Sequence, residues 1–235
     1  MDTTYPDAQL TIITPTLNEE SNINKMITRL VSLYPQVSII VADDGSTDGT
    51  AEIVKNWGAK NSKIQLLDRK DEAVKGLTIS LVDALKLTTT DNFIVIDCDF
   101  QHPPEKIVEG LHLLSEGKQL VIGTRSSVEG WGLRRKLISW GATTLGKISL
   151  LIRRRPRPSD IMSGFFGGDT QLIKELIEQH PRTVSPKGYK LLFDILKVVP
   201  RDISIGEFPY VFQTRKAGES KISLKHIFVY FKSLF

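Results

Sequence analysis

Phe93-Ile94-Val95-Ile96-Asp97-Cys98-Asp99-Phe100-Gln101 runs from four consecutive apolar residues straight into two carboxylates and an amide. A short unbroken apolar run of this kind fits a strand buried on both faces, so the polar groups fall at the carboxyl end of a sheet strand. Asp97 and Asp99 are hard oxygen ligands two residues apart, and Gln101 adds a carbonyl oxygen. So few protein ligands leave positions for water and phosphate, the habit of Mg²⁺ or Mn²⁺. A phosphorylated substrate is implied.

Outward from this stretch, residues 9–124 alternate β-branched runs with segments of helical period, the signature of a parallel α/β sheet. Strands are predicted at Leu10 to Thr14, Val37 to Ala42, Lys63 to Leu67, Phe93 to Asp97 and Gln119 to Gly123. Glu19 to Leu33 reads as a helix with Ile23, Met26, Ile27, Leu30 and Val31 on one face, and Asp48 to Trp57 as a second that opens on an acidic residue. Open sheets of this kind bind ligands at the carboxyl ends of their strands. Thr16 to Glu19, Asp43 to Ser46 and Asp97 to Gln101 would therefore converge on one crevice. Alone, Asp43 to Thr50 would read as a turn and helix cap; following a strand, and matched by two other polar clusters, it reads as a ligand loop.

Composition bounds the function classes. The chain of 235 residues is 40% hydrophobic and 25% charged, long enough for one large core. We expect a single domain over residues 1–235, with a nucleotide and metal part over about 9–124 and an acceptor and membrane-interface part over about 125–235. One cysteine excludes an intramolecular disulfide, no signal segment opens the sequence, and no apolar stretch reaches bilayer length. Cys98 reads as a small buried residue. The charge of +4 is mild but uneven: Arg134 to Lys136, Lys147 and Arg153 to Arg155 bracket one segment, and Arg215, Lys216 and Lys221 cluster near the end. An anionic partner is implied; nucleic acid is not, because aromatic interleaving and a known binding module are both missing.

After residue 124 the pattern changes. Trp131 to Ile152 is helix-like with Leu133, Leu137, Gly141, Leu145, Ile148 and Ile152 near one stripe, which suits an amphipathic helix on a surface or one packed on the core. Ile222 to Phe235 repeats the pattern, with Leu224, Ile227, Phe228, Phe231, Leu234 and Phe235 on one arc and Lys225 and Lys232 opposite. As a pair they suggest a membrane interface.

The ordered set Pro15-Thr16-Leu17-Asn18-Glu19, Asp43 to Thr50, Lys75-Gly76-Leu77, Asp97 to Pro104, Gly123-Thr124-Arg125, Asp160 to Phe166 and Gly218 to Lys221 resembles the family 2 glycosyltransferases, and among them those that act on dolichyl or polyprenyl phosphate. The resemblance covers roughly residues 9–235 and implies a GT-A fold: a mostly parallel sheet with helices on both faces, plus amphipathic interface helices. It implies that Pro15, Leu17, Glu19, Ala42 and Asp44 hold the nucleoside, and that Asp97, Asp99 and Gln101 hold Mg²⁺ or Mn²⁺ on the donor diphosphate, with Cys98 touching the donor through its backbone. Arg125 and Arg135 would serve the donor and the lipid phosphate, Ser163 and Gly164 would shape the acceptor side, and Arg215 and Lys221 would close over the phosphates. Asp99, Arg125 and Arg135 would carry the chemistry.

The reaction so implied moves a hexose, mannose from GDP-mannose or glucose from UDP-glucose, to a polyprenyl monophosphate with inversion. The setting would be peripheral, at the cytoplasmic face of a membrane, with a membrane-anchoring partner or a further C-terminal segment as the means of anchorage. Asp160 and Asp194 are the carboxylates available should the acceptor be a hydroxyl. A silent nucleotide-binding subunit is the remaining class.

Overall fold

In the computed structural model, residues 9–128, 133–186, 188 and 190–213 are described. One seven-stranded sheet runs through them in the order β3-β2-β1-β4-β6-β5-β7. The strands are β1 (Leu10–Thr16), β2 (Ser38–Asp43), β3 (Ile64–Asp68), β4 (Asn92–Val95), β5 (Leu120–Val128), β6 (Phe166–Asp169) and β7 (Ile205–Phe212). Only β6 runs against its neighbours, β4 and β5; every other pairing is parallel.

Seven α-helices accompany the described strands: α1 (Glu20–Leu33), α2 (Thr50–Lys60), α3 (Leu77–Leu87), α4 (Ile107–Ser115), α5 (Leu133–Ile152), α6 (Thr170–Gln179) and α7 (Leu191–Leu196). The period-2 alternation of the strands divides the core. Ile12, Ile39 and Val41 face α1, α2 and α4, while Ile13, Ile40 and Ala42 face α3, α6 and α7. Ile23, Met26, Ile27 and Leu30 of α1 are fully buried at the i, i+3, i+4, i+7 spacing, each worth about 2 kcal/mol in transfer free energy. Helix α1 ends where the Tyr34 amide bonds to Leu30 O and Pro35 follows.

The strand limits differ from the sequence reading in instructive ways. β4 stops at Val95 rather than Asp97: Ile96 N still donates to Ile13 O at 3.0 Å, but the Asp97 amide turns to His102. β5 continues to Val128 because β7 pairs along its outer length. β6 and β7 carry no strong strand signal. Gly167 of β6 is required by close approach, since a Cβ there would stand 2.2 Å from Phe93 O.

α5 satisfies both sequence readings at once. Leu150 and Ala142 pack on the core, while Trp140, Leu145, Ile148, Leu151 and Ile152 face out. The side chains of residues 133–139 and all of Ile222 to Phe235 lie outside the described residues. No helix among the described residues is long and apolar enough to cross a membrane.

Candidate active site

Strand order reverses at β1, which has β2 and β3 on one side and β4 on the other, so the crevice between the carboxyl ends of β1 and β4 is the switch point. The loops after β1, β2 and β4 open there, and their own side chains knit them together. Asn18, held at φ 52°, accepts from Thr47 N at 2.8 Å through its side chain, and its amide donates to Ser46 Oγ at 2.7 Å. Asp43 is buried and accepts from Thr16 Oγ1 at 3.1 Å, from Ser46 N at 2.8 Å and from the Ser46 hydroxyl. Asp43 thus shapes the turn rather than facing a ligand.

Asp44 is held from behind. One of its oxygens is paired with Arg69 and the other accepts from Gly76 N at 2.7 Å. Arg69 is only 2% exposed; it also bonds Asp83 Oδ2 at 3.1 Å, Ser80 Oγ at 2.9 Å and Val74 O at 2.9 Å. A buried guanidinium is tolerated only when its donors are spent in this way. The Lys75-Gly76-Leu77 segment is thereby joined to the loop after β2.

The other residues expected at the nucleoside fall into two groups. Leu17 is exposed, and Pro15 and Glu19 are partly so, with Glu19 accepting from Asn22 Nδ2 at 2.8 Å. Ala42 is 0% exposed, wedged between Pro15 and Leu67 in the sheet, and offers no surface to the crevice in this structure.

The Asp97 to Gln101 loop makes a tight turn in which Phe100 takes φ 62°, a left-handed value costly for a bulky residue. Asp99 is buried and its Oδ1 accepts from Gln101 N at 3.0 Å, while the Asp97 side chain is 38% exposed. Cys98 is buried. Gln101 is bonded twice to the end of β7: Gln213 N donates to Gln101 O at 3.1 Å, and Gln101 Nε2 donates to Gln213 O at 3.2 Å. Among the described residues no three His, Cys, Asp or Glu side chains are grouped to hold a metal ion. Two carboxylates and one amide oxygen nonetheless suit a hard divalent cation that completes its shell with diphosphate and water.

His102 stands behind this loop, and the sequence reading gave it no role. It is buried among Phe165, Tyr210 and Phe212, with ring centroids 5.4 to 5.6 Å away. Burial pushes its pKa down to about 3, so the ring is neutral. Asp97 N donates to its Nδ1 at 3.2 Å, which places the ring proton on Nε2. The 3.4 Å approach of Nδ1 to Asp97 Oδ2 is therefore a contact and not an ion pair.

On the far side of the crevice Arg125 forks onto Asp160, Nε to Oδ2 at 2.6 Å and Nη2 to Oδ1 at 2.9 Å. Burial pushes the Asp160 carboxyl up, but the Arg125 hydrogen bonds and charge outweigh it and hold it below the usual range. Asp160 also accepts from Met162 N at 3.1 Å. Lys190, missed in the sequence, donates to Met162 O at 2.6 Å, and its ammonium feels Arg125, Asp160 and Asp97. Burial, then the charge of Arg125, pushes its pKa down to about 8.

Ser163 is buried with its hydroxyl engaged by Phe165 N and O, both at 3.1 Å, so it acts on the site through the shape of its turn. A Cβ on Gly164 would come 3.1 Å from His102 Cε1 and 3.4 Å from Asp97 Oδ2, so glycine lets this turn close on the Asp97 loop. The side chain of Arg135 and all of Arg215 and Lys221 lie outside the described residues.

Known proteins share both the sequence and the sheet. The Dolichol-phosphate mannosyltransferase of Pyrococcus furiosus is 34% identical over 97% of this chain, which spans 63% of that protein's length. That of Saccharomyces cerevisiae is 31% identical over 96% of this chain and 85% of its own. A crystal structure of glucosyl-3-phosphoglycerate synthase from Mycobacterium tuberculosis, in complex with Mn²⁺, UDP-glucose and phosphoglyceric acid, superposes with a TM-score of 0.64 at 20% identity, over 96% of this chain and 79% of that one. That likeness establishes the GT-A architecture. The sequence model for Glycosyl transferase family 2 matches residues 11–177, a span that takes in all three crevice loops and the Arg125–Asp160 pair, and the chain belongs to that family.

Proposed function

We propose that this chain transfers a hexose from a nucleoside diphosphate sugar to a polyprenyl monophosphate, with GDP-mannose as donor and dolichyl phosphate as acceptor. The observation that carries the reading is the juxtaposition at one crevice of the Asp97 and Asp99 carboxylates with the Lys190 ammonium and the Arg125–Asp160 pair. Such a site suits two anions that must be brought together. The names of the relatives, dolichol-phosphate mannosyltransferase and polyprenol monophosphomannose synthase, supply mannose and the lipid class.

In this reading Pro15, Leu17, Glu19 and the backbone about Ala42 border the nucleoside, with Asp44 oriented by Arg69. Asp97, Asp99 and Gln101 would hold Mg²⁺ or Mn²⁺, and the ion would neutralise the donor diphosphate. Neighbours of the same fold that were crystallised with Mn²⁺ or Mg²⁺ support this assignment. Arg125 and Arg135 would serve the lipid phosphate, and Arg215 and Lys221 would close over the phosphates, as the family resemblance implies. A phosphate monoester is anionic near neutral pH. Its oxygen forms a bond to the anomeric carbon while the bond from that carbon to the diphosphate breaks, the diphosphate leaving with the electron pair. No proton is moved, so no general base is needed; alignment and charge stabilisation are what the residues provide.

A hydroxyl acceptor would need a carboxylate base. Asp160 is held by the Arg125 fork, and Asp194 is buried against Lys197 at 2.7 Å. Neither is poised to take a proton. The lipid acceptor fits peripheral action at the cytoplasmic face of a membrane.

The test is transfer of label into the organic phase from GDP-mannose or UDP-glucose, with detergent-dispersed polyprenyl phosphate and Mg²⁺ or Mn²⁺. Metal-dependent transfer from GDP-mannose is expected. Transfer from UDP-glucose alone would replace the sugar, and nucleotide binding without transfer from either would make the chain a silent subunit.

A further inference from the structure

A short helix packed wholly inside the protein carries a full pair of charges. Every residue of α7 is buried, and Asp194 within it meets Lys197, just past its end, at 2.7 Å, the two side chains 4% and 5% exposed. Taking both charges out of water costs about what their attraction returns, so such a pair adds little to stability and an apolar pair of similar volume would fold as well. Its effect lies in what it holds.

Asp194 grips the chain at two points. Its Oδ2 accepts from Ser185 N at 3.1 Å, and its own amide donates to Lys190 O at 3.2 Å. Lys197 adds a bond from its ammonium to Thr183 O at 3.4 Å. One residue thus fixes both ends of the span from Ser185 to Lys190.

That span reaches both sides of the crevice. Gly188 N donates to Ser185 O at 2.8 Å, closing a turn, and Gly188 O accepts from Thr78 N at 3.3 Å. Thr78 is the second residue of α3, which starts directly after Gly76, the residue bonded to Asp44 on the nucleoside side. At the other end Lys190 Nζ donates to Met162 O at 2.6 Å, close to the charges of Arg125 and Asp160. The nucleoside side and the Lys190 ammonium are therefore spaced by a short span whose two ends hang on one residue.

We propose that Asp194, its charge balanced by Lys197, is a positioning residue: through Ser185 and Lys190 it sets the separation between the nucleoside loops and the Lys190 ammonium. The inference rests on the transferase reading for its consequence in rate, but the spacing itself is measurable without turnover. Where two anions must be aligned, a displacement of about 1 Å costs tenfold or more in rate.

Two double variants of the full chain separate the hydrogen bonds from the charges. D194N/K197Q is neutral and keeps an acceptor for Ser185 N and a donor for Thr183 O; D194L/K197M is neutral and keeps neither. Both should fold cooperatively, with D194L/K197M melting within about 5 °C of the parent, because the desolvation cost is removed together with the attraction. In D194L/K197M the Thr78 amide hydrogen should exchange with deuterium about tenfold faster. Its kcat/KM for labelled transfer from GDP-mannose to detergent-dispersed polyprenyl phosphate should fall about tenfold. D194N/K197Q should bring both back to within about twofold of the parent.

Unchanged Thr78 exchange in D194L/K197M overturns the proposal whatever the rate does, and so does faster exchange with undiminished transfer. An equal loss in both variants would assign the effect to charge and overturn it as well. A D194L/K197M chain that does not fold would make the bonds a folding requirement, with the same result. A parent that transfers no sugar removes only the reaction: faster Thr78 exchange in D194L/K197M, reversed in D194N/K197Q, still supports the spacing role.

Discussion

Arg125 and Asp160 stand 35 residues apart in sequence and meet in a two-point pair, at 2.6 and 2.9 Å, in which both side chains are mostly buried. The pair ties the middle of β5 to the segment that leads into β6. A forked guanidinium–carboxylate pair fixes orientation as well as position, which a lysine cannot do. Asp160→Asn is expected to lower stability by about 3 kcal/mol, because it strands the buried Arg125 charge. Arg125→Lys should keep the charge and lose the fork, reducing kcat/KM at least tenfold. Urea denaturation and initial rates measure the two effects.

Asp97→Asn and Asp99→Asn should each abolish metal-dependent transfer by a factor of 100 or more, on the order of 3 kcal/mol of transition-state stabilisation. Their stabilities should differ. Asp99 caps Gln101 N from a buried position, so Asp99→Ala costs about 1 kcal/mol in folding, whereas the more exposed Asp97 costs little. Mn²⁺ titration calorimetry with nucleoside diphosphate, paired with melting curves, would show this division; normal turnover of either variant would remove that residue from the metal site.

The neutral His102 makes stability depend on pH in a defined direction. Its native pKa is about 3 because of burial, while the unfolded chain has about 6.5. The unfolded state therefore binds more protons between these values, and stability falls as pH drops from about 6.5 towards 3, by up to about 1.4 kcal/mol per unit. Above pH 7 His102 contributes no slope. His102→Phe should flatten the acid limb of a denaturation series and also lower kcat, because Asp97 N loses its acceptor.

Lys190 predicts the alkaline limb. With a native pKa pushed down to about 8 by burial and by Arg125, its ammonium deprotonates just above neutrality. Transfer should decline as pH rises through about 8, and Lys190→Met should lose that decline with a plateau about tenfold lower. Stability should move the other way: the unfolded lysine keeps its proton to about 10.4, so folding strengthens between 8 and 10.4. Rate and denaturation profiles of both proteins on one buffer series decide it.

Removing Arg69 should damage the nucleoside side without touching the metal side. Arg69→Met leaves Asp44 and Asp83 without their shared partner and should cost about 3 kcal/mol or more. Any folded fraction should show raised KM for the nucleotide sugar with unchanged metal affinity.

The first four parallel strands, α1, α2 and the three crevice loops were legible because each is a local pattern: an apolar run, a helical stripe, or polar residues after a strand. β6 was not, since Phe166-Gly167-Gly168-Asp169 has too little side chain to show alternation. β7 was hidden by Pro209, which is tolerated because β7 is an edge strand. Its burial alternates strictly from Gly206 to Phe212 all the same. The candidate metal loop could be quoted directly from the sequence. Its supports could not: Asp44, Arg125 and Asp160 were singled out in the chain, but the pairing of Asp44 with Arg69 and of Arg125 with Asp160, and the approach of Lys190 to the latter pair, are meetings made by topology. His102 lay within the quoted motif, yet only its burial among three aromatic rings shows that it serves as a neutral acceptor.

The paired bonds between Gln101 and Gln213 give the protein an internal reporter. The Gln213 amide hydrogen is sheltered only while the Asp97 to Gln101 turn keeps its shape, because Gln101 O is its acceptor. Exchange of that single hydrogen with solvent deuterium is thus a clock on the carboxylate turn, readable from the end of the edge strand β7 and without any change to the residues that would touch substrate.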